Sequence, residues 1–265
     1  MNIGYIGSSA TMIKILKDWK NHNICVWFCD SSKESSELEL LSEKMQVSLF
    51  YINKEEQIIE QMAKCPKQID YFIVYKTGII IHEKMLDKYS FFNFHPGSLE
   101  TNRGAYPLVW SVLLGEKEAT MSLHQINEGI DAGPLICEKK IYISENDTPP
   151  CLEKRLEKEI PLMLDKIDFY RSGKCDAKII ENGVYRRKIQ KNDYTIDFEK
   201  DSYEIMCRKI NSQKGYEGAV LWYKGKEFRC ISVELMDEFP SAYEGVSDKI
   251  VLERDNQWYC FSLII

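Results

Sequence analysis

Three stretches of this 265-residue chain carry side chains that could do chemistry. The first is "FFNFHPGSLE", residues 91–100, where Asn93 and His95 stand two apart just ahead of Pro96-Gly97. Positions two apart on a strand share a face, so the spacing predicts that Asn93 and His95 project together while Phe94 packs the other way. Pro96-Gly97 then stops the strand and lets backbone approach a ligand closely. A lone histidine is more often a half-buried core residue than a working one, so the corner needs support from elsewhere. The second stretch is "NEGIDAGP", with Asp131 between Gly129 and Gly133; alone it reads as a turn residue bonding its own backbone. In combination the three polar residues are the parts that acyl transfer to an amine requires. An amide N–H and an imidazole can stabilise an oxyanion, and a carboxylate can fix the imidazole or move protons. The third stretch is the Gly7-Ser8-Ser9 turn, which puts small residues and backbone N–H groups at a helix start, where an anion such as phosphate is favoured. It has neither G-x-G-x-x-G nor a P-loop lysine, and a plain strand-to-helix turn explains it equally well.

The surrounding elements decide whether these parts can meet. "NIGYIG", "ICVWFCD", "VSLFYI" and "YFIVYK" read as buried strands separated by the helical runs "ATMIKILKDWK", "SSKESSELELLSEK" and "KEEQIIEQMAKC". That alternation predicts βαβ units, hence a doubly wound, Rossmann-like, mainly parallel α/β sheet flanked by helices. "FFNFHP" is a further strand, so Asn93 and His95 fall at its carboxyl end, where open α/β sheets bind ligands. "ATMSLHQI" and "LICEKKIYI" flank the Asp131 loop as neighbouring strands, and Pro161 divides the helical region 149–174. After about residue 185 the pattern changes to one helix and short β-like runs with turn signals at "YKGK" and "ERDNQ". The division expected is a catalytic domain over 1–185 and a small, mostly β domain over 186–265.

Composition narrows the partners. A net charge of −6 gives no electrostatic case for nucleic acid or a membrane surface. No apolar run approaches the ~20 residues of a membrane-spanning helix, and the N-terminus has no basic-then-apolar leader. Of nine scattered cysteines without a C-x-x-C pair, several sit in apolar runs, as small core residues of a protein expected in a reducing cytoplasm. With four dispersed histidines, no metal site is expected.

"NFHPGSLETNRGAYPLVWSVLLGEKEATMSLHQINEGIDAGPLI" resembles the catalytic core of the formyltransferases that use N10-formyltetrahydrofolate. That family pairs an Asn-x-His corner with an Asp in a Gly-x-Asp-x-Gly loop, and Arg103-Gly104 stands between them here. The likeness is strongest over roughly residues 70–140, and Glu100 departs from it where many members carry proline. The resemblance implies Asn93, His95 and Asp131 as catalytic residues and N10-formyltetrahydrofolate as co-substrate. It also implies that "KTGIIIHEKML" and the Asp131 loop form the pterin slot, from Gly78, Ile79, Ile80, Ile81, Met85, Leu86, Gly129 and Ile130.

Three amine acceptors fit such an enzyme: initiator methionyl-tRNA, a glycinamide ribotide and a nucleotide-linked amino sugar. Residues 186–265 hold 13 basic and 14 acidic side chains, which counts against a tRNA-binding face, and an appended β domain disfavours the ribotide. "NIGYIGSS", "FNFHPGSL" and "NRGAYPLVWSVLLGE" look most like the sugar N-formyltransferases, which act on dTDP- or UDP-linked amino deoxysugars for bacterial surface polysaccharides. That likeness implies Ser8, Ser9, Lys76, Arg103, Gly104 and Tyr106 as substrate contacts, with Trp110, Trp222 and Tyr223 able to stack on a base, and a homodimer. Methionyl-tRNA formyl transfer, and a folate-binding or hydrolase relative without transferase activity, stay open as alternatives.

Overall fold

The alternation of buried runs and helices becomes nine strands and α-helices among the described residues up to 95 of the computed structural model, which describes residues 1–63, 67–243 and 246–264. In order they are β1 (Asn2–Gly7), α1 (Ala10–Asp18), β2 (Asn23–Asp30), α2 (Ser36–Met45), β3 (Ser48–Ile52), α3 (Glu55–Met62), β4 (Tyr71–Tyr75), α4 (Glu83–Leu86) and β5 (Phe91–His95). Then follow β6 (Arg103–Gly104), α5 (Pro107–Leu114), β7 (Glu118–Gln125), β8 (Leu135–Tyr142), α6 (Pro149–Glu157), α7 (Pro161–Arg171), β9 (Tyr185–Arg186) and β10 (Thr195–Ile196). The last elements are α8 (Tyr203–Gln213), β11 (Ala219–Tyr223), β12 (Lys226–Met236), β13 (Lys249–Arg254) and β14 (Gln257–Leu263). Lys64 and Cys65, which close the run "KEEQIIEQMAKC", and Ile265 of the expected β domain lie outside the described residues.

The chain divides into two compact units. The first comprises Met1–Arg103, Thr120–Lys140 and Leu156–Tyr185; the second comprises Gly104–Ala119, Ile141–Arg155 and Arg186–Ile265. The first unit carries a seven-stranded sheet of order β3-β2-β1-β4-β5-β7-β8. Its first four pairings are parallel, and β5 pairs with β7 antiparallel. This is the mainly parallel, helix-flanked architecture that the alternation implies. Strand order reverses between β1 and β4, which makes their carboxyl ends the switch point of the sheet.

Large side chains fill both faces. On one, Phe28, Phe72 and Phe91 pack with Ile58 of α3 and Met85 of α4. Phe72 and Phe91 stack with centroids 5.1 Å apart and Tyr89 meets Phe72 edge-on at 5.3 Å. On the other face, Tyr71 hydrogen-bonds Asp168 of α7, and the indole of Trp19 donates to Asp165 at 2.8 Å. Ser9 caps α1 by accepting the Met12 N–H, and Ser35 caps α2 the same way through Leu38.

The second unit holds a five-stranded sheet of order β10-β11-β12-β14-β13, with a core of Leu221, Val233, Tyr259 and Phe261 against Met206 and Ile210 of α8. Its two hairpins turn on Lys224-Gly225 and Asp255-Asn256, all four with positive φ. A two-residue turn of that hand matches the twist of the strands it joins. α5 starts on Pro107, ends at Gly115 and packs beside α8, where Gly115 abuts the Arg208 guanidinium.

Phe72 is fully buried and touches aromatic rings on two sides. Phe72→Ala is expected to cost about 3–5 kcal/mol of stability, read as a lowered urea midpoint at unchanged slope.

Candidate active site

β5 ends in Asn93-Phe94-His95, and its antiparallel pairing sets Asn93 opposite His124 and His95 opposite Ser122 of β7. Phe94 points into the core and is fully buried. Asn93 and His95 therefore share a face, as their spacing predicts, and on that face both reach the loop that follows β7. The Asp131 carboxylate is the meeting point. Its Oδ2 is 3.4 Å from His95 Nδ1, and its Oδ1 lies 3.3 Å from the Asn93 amide nitrogen and 3.4 Å from His124 Nε2.

Local backbone chemistry brings the loop to this position. Gln125 N–H donates to the Pro134 carbonyl, which closes the loop. A Cβ on Gly133 would lie 1.8 Å from the Gln125 carbonyl oxygen, so only glycine fits there. The left-handed conformation falls on Asp131 itself, at φ 46°. A non-glycine residue in that region is uncommon, and such strain concentrates at functional positions.

His95 is buried, with Nε2 2.7 Å from the Asn102 carbonyl. Burial pushes its pKa below the ordinary 6.5, against the smaller upward pull of the Asp131 carboxylate and the Asn102 carbonyl; His124 adds to the lowering. The 96–103 turn is itself pinned. Ser122 Oγ donates to the Gly97 carbonyl at 2.7 Å, Asn102 N–H to Ser98, and Arg103 Nε to Leu99.

A cavity of about 370 Å³ is lined by Leu86, Tyr89, Phe91 and the segment Gln125–Glu128, which leads into the Asp131 loop; Asn93, His95 and Asp131 do not line it. Its volume lies within the range of small-molecule sites. Of the pterin-slot residues inferred from the sequence, Leu86 lines it. Ile81 and Met85 are buried in the core, and Ile79 packs against the same cluster. Gly78 is exposed, as are Ile80 at 57% and Ile130 at 51%; Gly129 is exposed in the Asp131 loop. Tyr89, Phe91, Gln125 and Ile126 are not among the slot residues inferred from the sequence, and Asn127 and Glu128 open the "NEGIDAGP" stretch without being assigned to the slot. Phe91 and Gln125 belong to the paired strands β5 and β7, and Tyr89 and Ile126–Glu128 flank them.

The inferred substrate contacts sit in several places. Ser8 donates to the Lys76 carbonyl at 2.9 Å, at the switch point between β1 and β4, and the Lys76 side chain is exposed on a residue of positive φ. Ser9 is buried, its hydroxyl accepting from Met12 N–H and lying 3.2 Å from Glu157 Oε1. Tyr75 OH donates to the same carboxylate oxygen at 3.3 Å. The anion near the N-terminus of α1 is thus a carboxylate of the chain itself. Arg103 is also buried, its guanidinium donating to the carbonyls of Leu99 and Ile180 against Gly183. Gly104 and Tyr106 belong to the second unit; Tyr106 has φ 58° and is 54% exposed ahead of α5. In the same unit Trp110 donates to the Arg187 carbonyl at 3.0 Å, and Trp222 is exposed with Tyr223 partly buried. Among the described residues, no three His, Cys, Asp or Glu side chains gather as a metal-holding group, and no helix is long and apolar enough to cross a membrane.

The formyl transferase family model matches residues 30–165. A methionyl-tRNA formyltransferase of Prochlorococcus marinus is 32% identical over 195 residues, covering 68% of this chain and 58% of that protein. The chain therefore spans less than two thirds of the length of that relative. WlaRD, a sugar 3N-formyl transferase solved in the presence of dTDP and 5-N-formyl-THF, superimposes with a TM-score of 0.69 at 17% identity, covering 100% of this chain and 98% of that one. A 4-N formyltransferase from Francisella tularensis gives 0.69 at 18% identity, over 85% and 94% of the two chains. At those identities the likeness to the solved structures is one of fold.

Because the folded pKa of His95 is depressed, the histidine contributes stability above about pH 6.5, and that contribution is lost as pH falls through the lowered folded value. Removing the Asp131 charge takes away an upward pull. In Asp131→Asn, the His95 ring resonances are therefore expected to titrate at a still lower pH than in the unaltered protein, followed by NMR.

Proposed function

The chain belongs to the formyl transferase family, and on that footing we propose that it moves a formyl group from N10-formyltetrahydrofolate to the amine of a dTDP- or UDP-linked amino deoxysugar. The observation that carries this reading is the Asp131 carboxylate held within 3.4 Å of both His95 and Asn93. In the reaction, the amine nitrogen forms a bond to the formyl carbon, and the bond from that carbon to N10 breaks. The amine loses one proton and N10 gains one. Asn93 and His95 donate hydrogen bonds to the formyl oxygen as negative charge builds on it. His95 does so by exchanging its bond to the Asn102 carbonyl. Asp131 orients His95 and accepts the proton leaving the amine. Leu86, Tyr89 and Phe91 supply the apolar wall for the pterin, and the Gln125–Glu128 backbone its polar edge.

The sugar acceptor is supported by the fold likeness to WlaRD and the Francisella enzyme and by the net charge of −6. A chain binding tRNA gains its affinity chiefly from basic contacts with phosphates. Exposed Lys76 and half-buried Ser8 at the sheet switch point are the substrate contacts this reading favours in the first unit. Residues 1–185 would carry the catalytic work and 186–265 the appended β domain, in a homodimeric, cytoplasmic enzyme serving surface-polysaccharide synthesis. Support for self-association is the outer position of β13 in its sheet, which leaves one strand edge to be covered.

Purified protein given N10-formyltetrahydrofolate is expected to release tetrahydrofolate only when a nucleotide-linked amino sugar is present. Release with methionyl-tRNA alone would replace the acceptor, and release without any acceptor would make the protein a hydrolase. His95→Asn is expected to lower turnover by about 10²–10³-fold with folate affinity retained; near-full activity would remove His95 from the chemistry.

A further inference from the structure

One side chain in the site belongs to neither sequence motif. His124 lies across from Asn93 in the β5–β7 ladder and is 2% exposed. Its Nδ1 is 3.1 Å from the Gln125 carbonyl oxygen. A carbonyl oxygen only accepts, so Nδ1 carries the proton and Nε2 of the neutral ring keeps a lone pair. That lone pair faces the carboxamide nitrogen of Asn93, a donor, at 3.1 Å. The opposite tautomer would set N–H against N–H at one end of the ring and lone pair against lone pair at the other. One tautomer and one amide orientation therefore satisfy the Gln125 and Asn93 contacts together, and Asp131 Oδ1, which lies 3.4 Å from Nε2, takes its hydrogen from Asn93 and not from the ring.

Asn93 has two amide hydrogens. The shorter contact of its nitrogen is to His124 at 3.1 Å, and the longer is to Asp131 Oδ1 at 3.3 Å. We propose that His124 is a positioning residue, whose Nδ1-protonated neutral ring anchors one Asn93 N–H and thereby aims the other at the oxygen of the transferred acyl group. Asp131 holds that second hydrogen until the substrate oxygen displaces the contact. Anchoring removes the rotation of the carboxamide that would otherwise present its oxygen, an acceptor, to a developing negative charge. This deepens the formyl-transfer reading and rests on it for its kinetic consequence, but not for the tautomer.

The tautomer is measured first, on the unaltered protein. The chain has four histidines, so a sample labelled with ¹⁵N in histidine gives few signals, and His124→Gln assigns the one at issue. At neutral pH, His124 is expected to show a protonated Nδ1 and an unprotonated Nε2. A protonated Nε2 overturns the proposal, and this arm needs no substrate. The kinetic arm compares His124→Gln, whose side-chain oxygen can still accept from Asn93, with His124→Leu, which cannot. The leucine variant is expected to lose about a hundredfold in kcat, the cost of a misplaced catalytic group, with KM for either substrate held within about twofold. The glutamine variant is expected to recover about tenfold of that loss. Equal kcat in the two variants, or a loss in the leucine variant that appears in KM instead of kcat, overturns the positioning role. A protein that transfers no formyl group at all would sink the functional reading while leaving the tautomer result standing.

Discussion

The antiparallel register between β5 and β7 is the constraint on which the site depends. With Asn93 opposite His124, both polar side chains share a face and the chain leaves β7 pointed toward the loop that carries Asp131. A slip of one residue would turn Asn93 and His95 into the core and bring Phe94 out. The register is held from the core side by Phe94, Leu123 and Phe92, all fully or almost fully buried, so the apolar face that stabilises the sheet also aims the polar face. A second tie, from Ser122 to Gly97, fixes the turn beyond His95 from the same pair of strands.

Within that frame, burial and charge act on His95 in opposite directions. Desolvation is the larger influence and favours the neutral ring, while Asp131 opposes it. Both nitrogens of His95 face oxygen atoms, Asp131 on one side and the Asn102 carbonyl on the other. A carboxylate at this distance is what a reaction needs when an imidazole must gain positive character only as charge develops nearby. The left-handed backbone at Asp131 and the close approach of the Gln125 carbonyl to Gly133 are both features of this loop.

The α/β alternation was legible because each strand of the first sheet is a short apolar run, and because helices begin at caps such as Ser9 and Ser35. The shared face of Asn93 and His95 followed from a period of two. Asp131 was legible only by pairing two motifs, since nothing local says that residues 93 and 131 meet. His124 was not legible as a site residue. It sits in an alternating run, "ATMSLHQI", and what distinguishes it from any half-buried histidine is a cross-strand partner that depends on register. Buried ties such as Glu157 to Ser9, or Arg103 to the carbonyls of Leu99 and Ile180, were equally hidden, because their partners are remote in sequence. The Gly7-Ser8-Ser9 turn has the features of an anion site, and the structure shows a carboxylate of the same chain beside it.

The interleaving of the two units bears on how the protein is made. α5 belongs with α8, yet the ribosome produces α5 well before α8, with most of the remaining first-unit strands and helices in between. Leu108, Val109 and Val112 of α5 are buried in the finished unit. During synthesis at about 5–20 residues per second, those side chains wait for several seconds without the helix they pack beside. A nascent chain of this topology therefore offers a transient apolar helix to chaperones or to neighbouring nascent chains, and a circular permutant opened between the two helices, which makes α8 before α5, would remove that exposure.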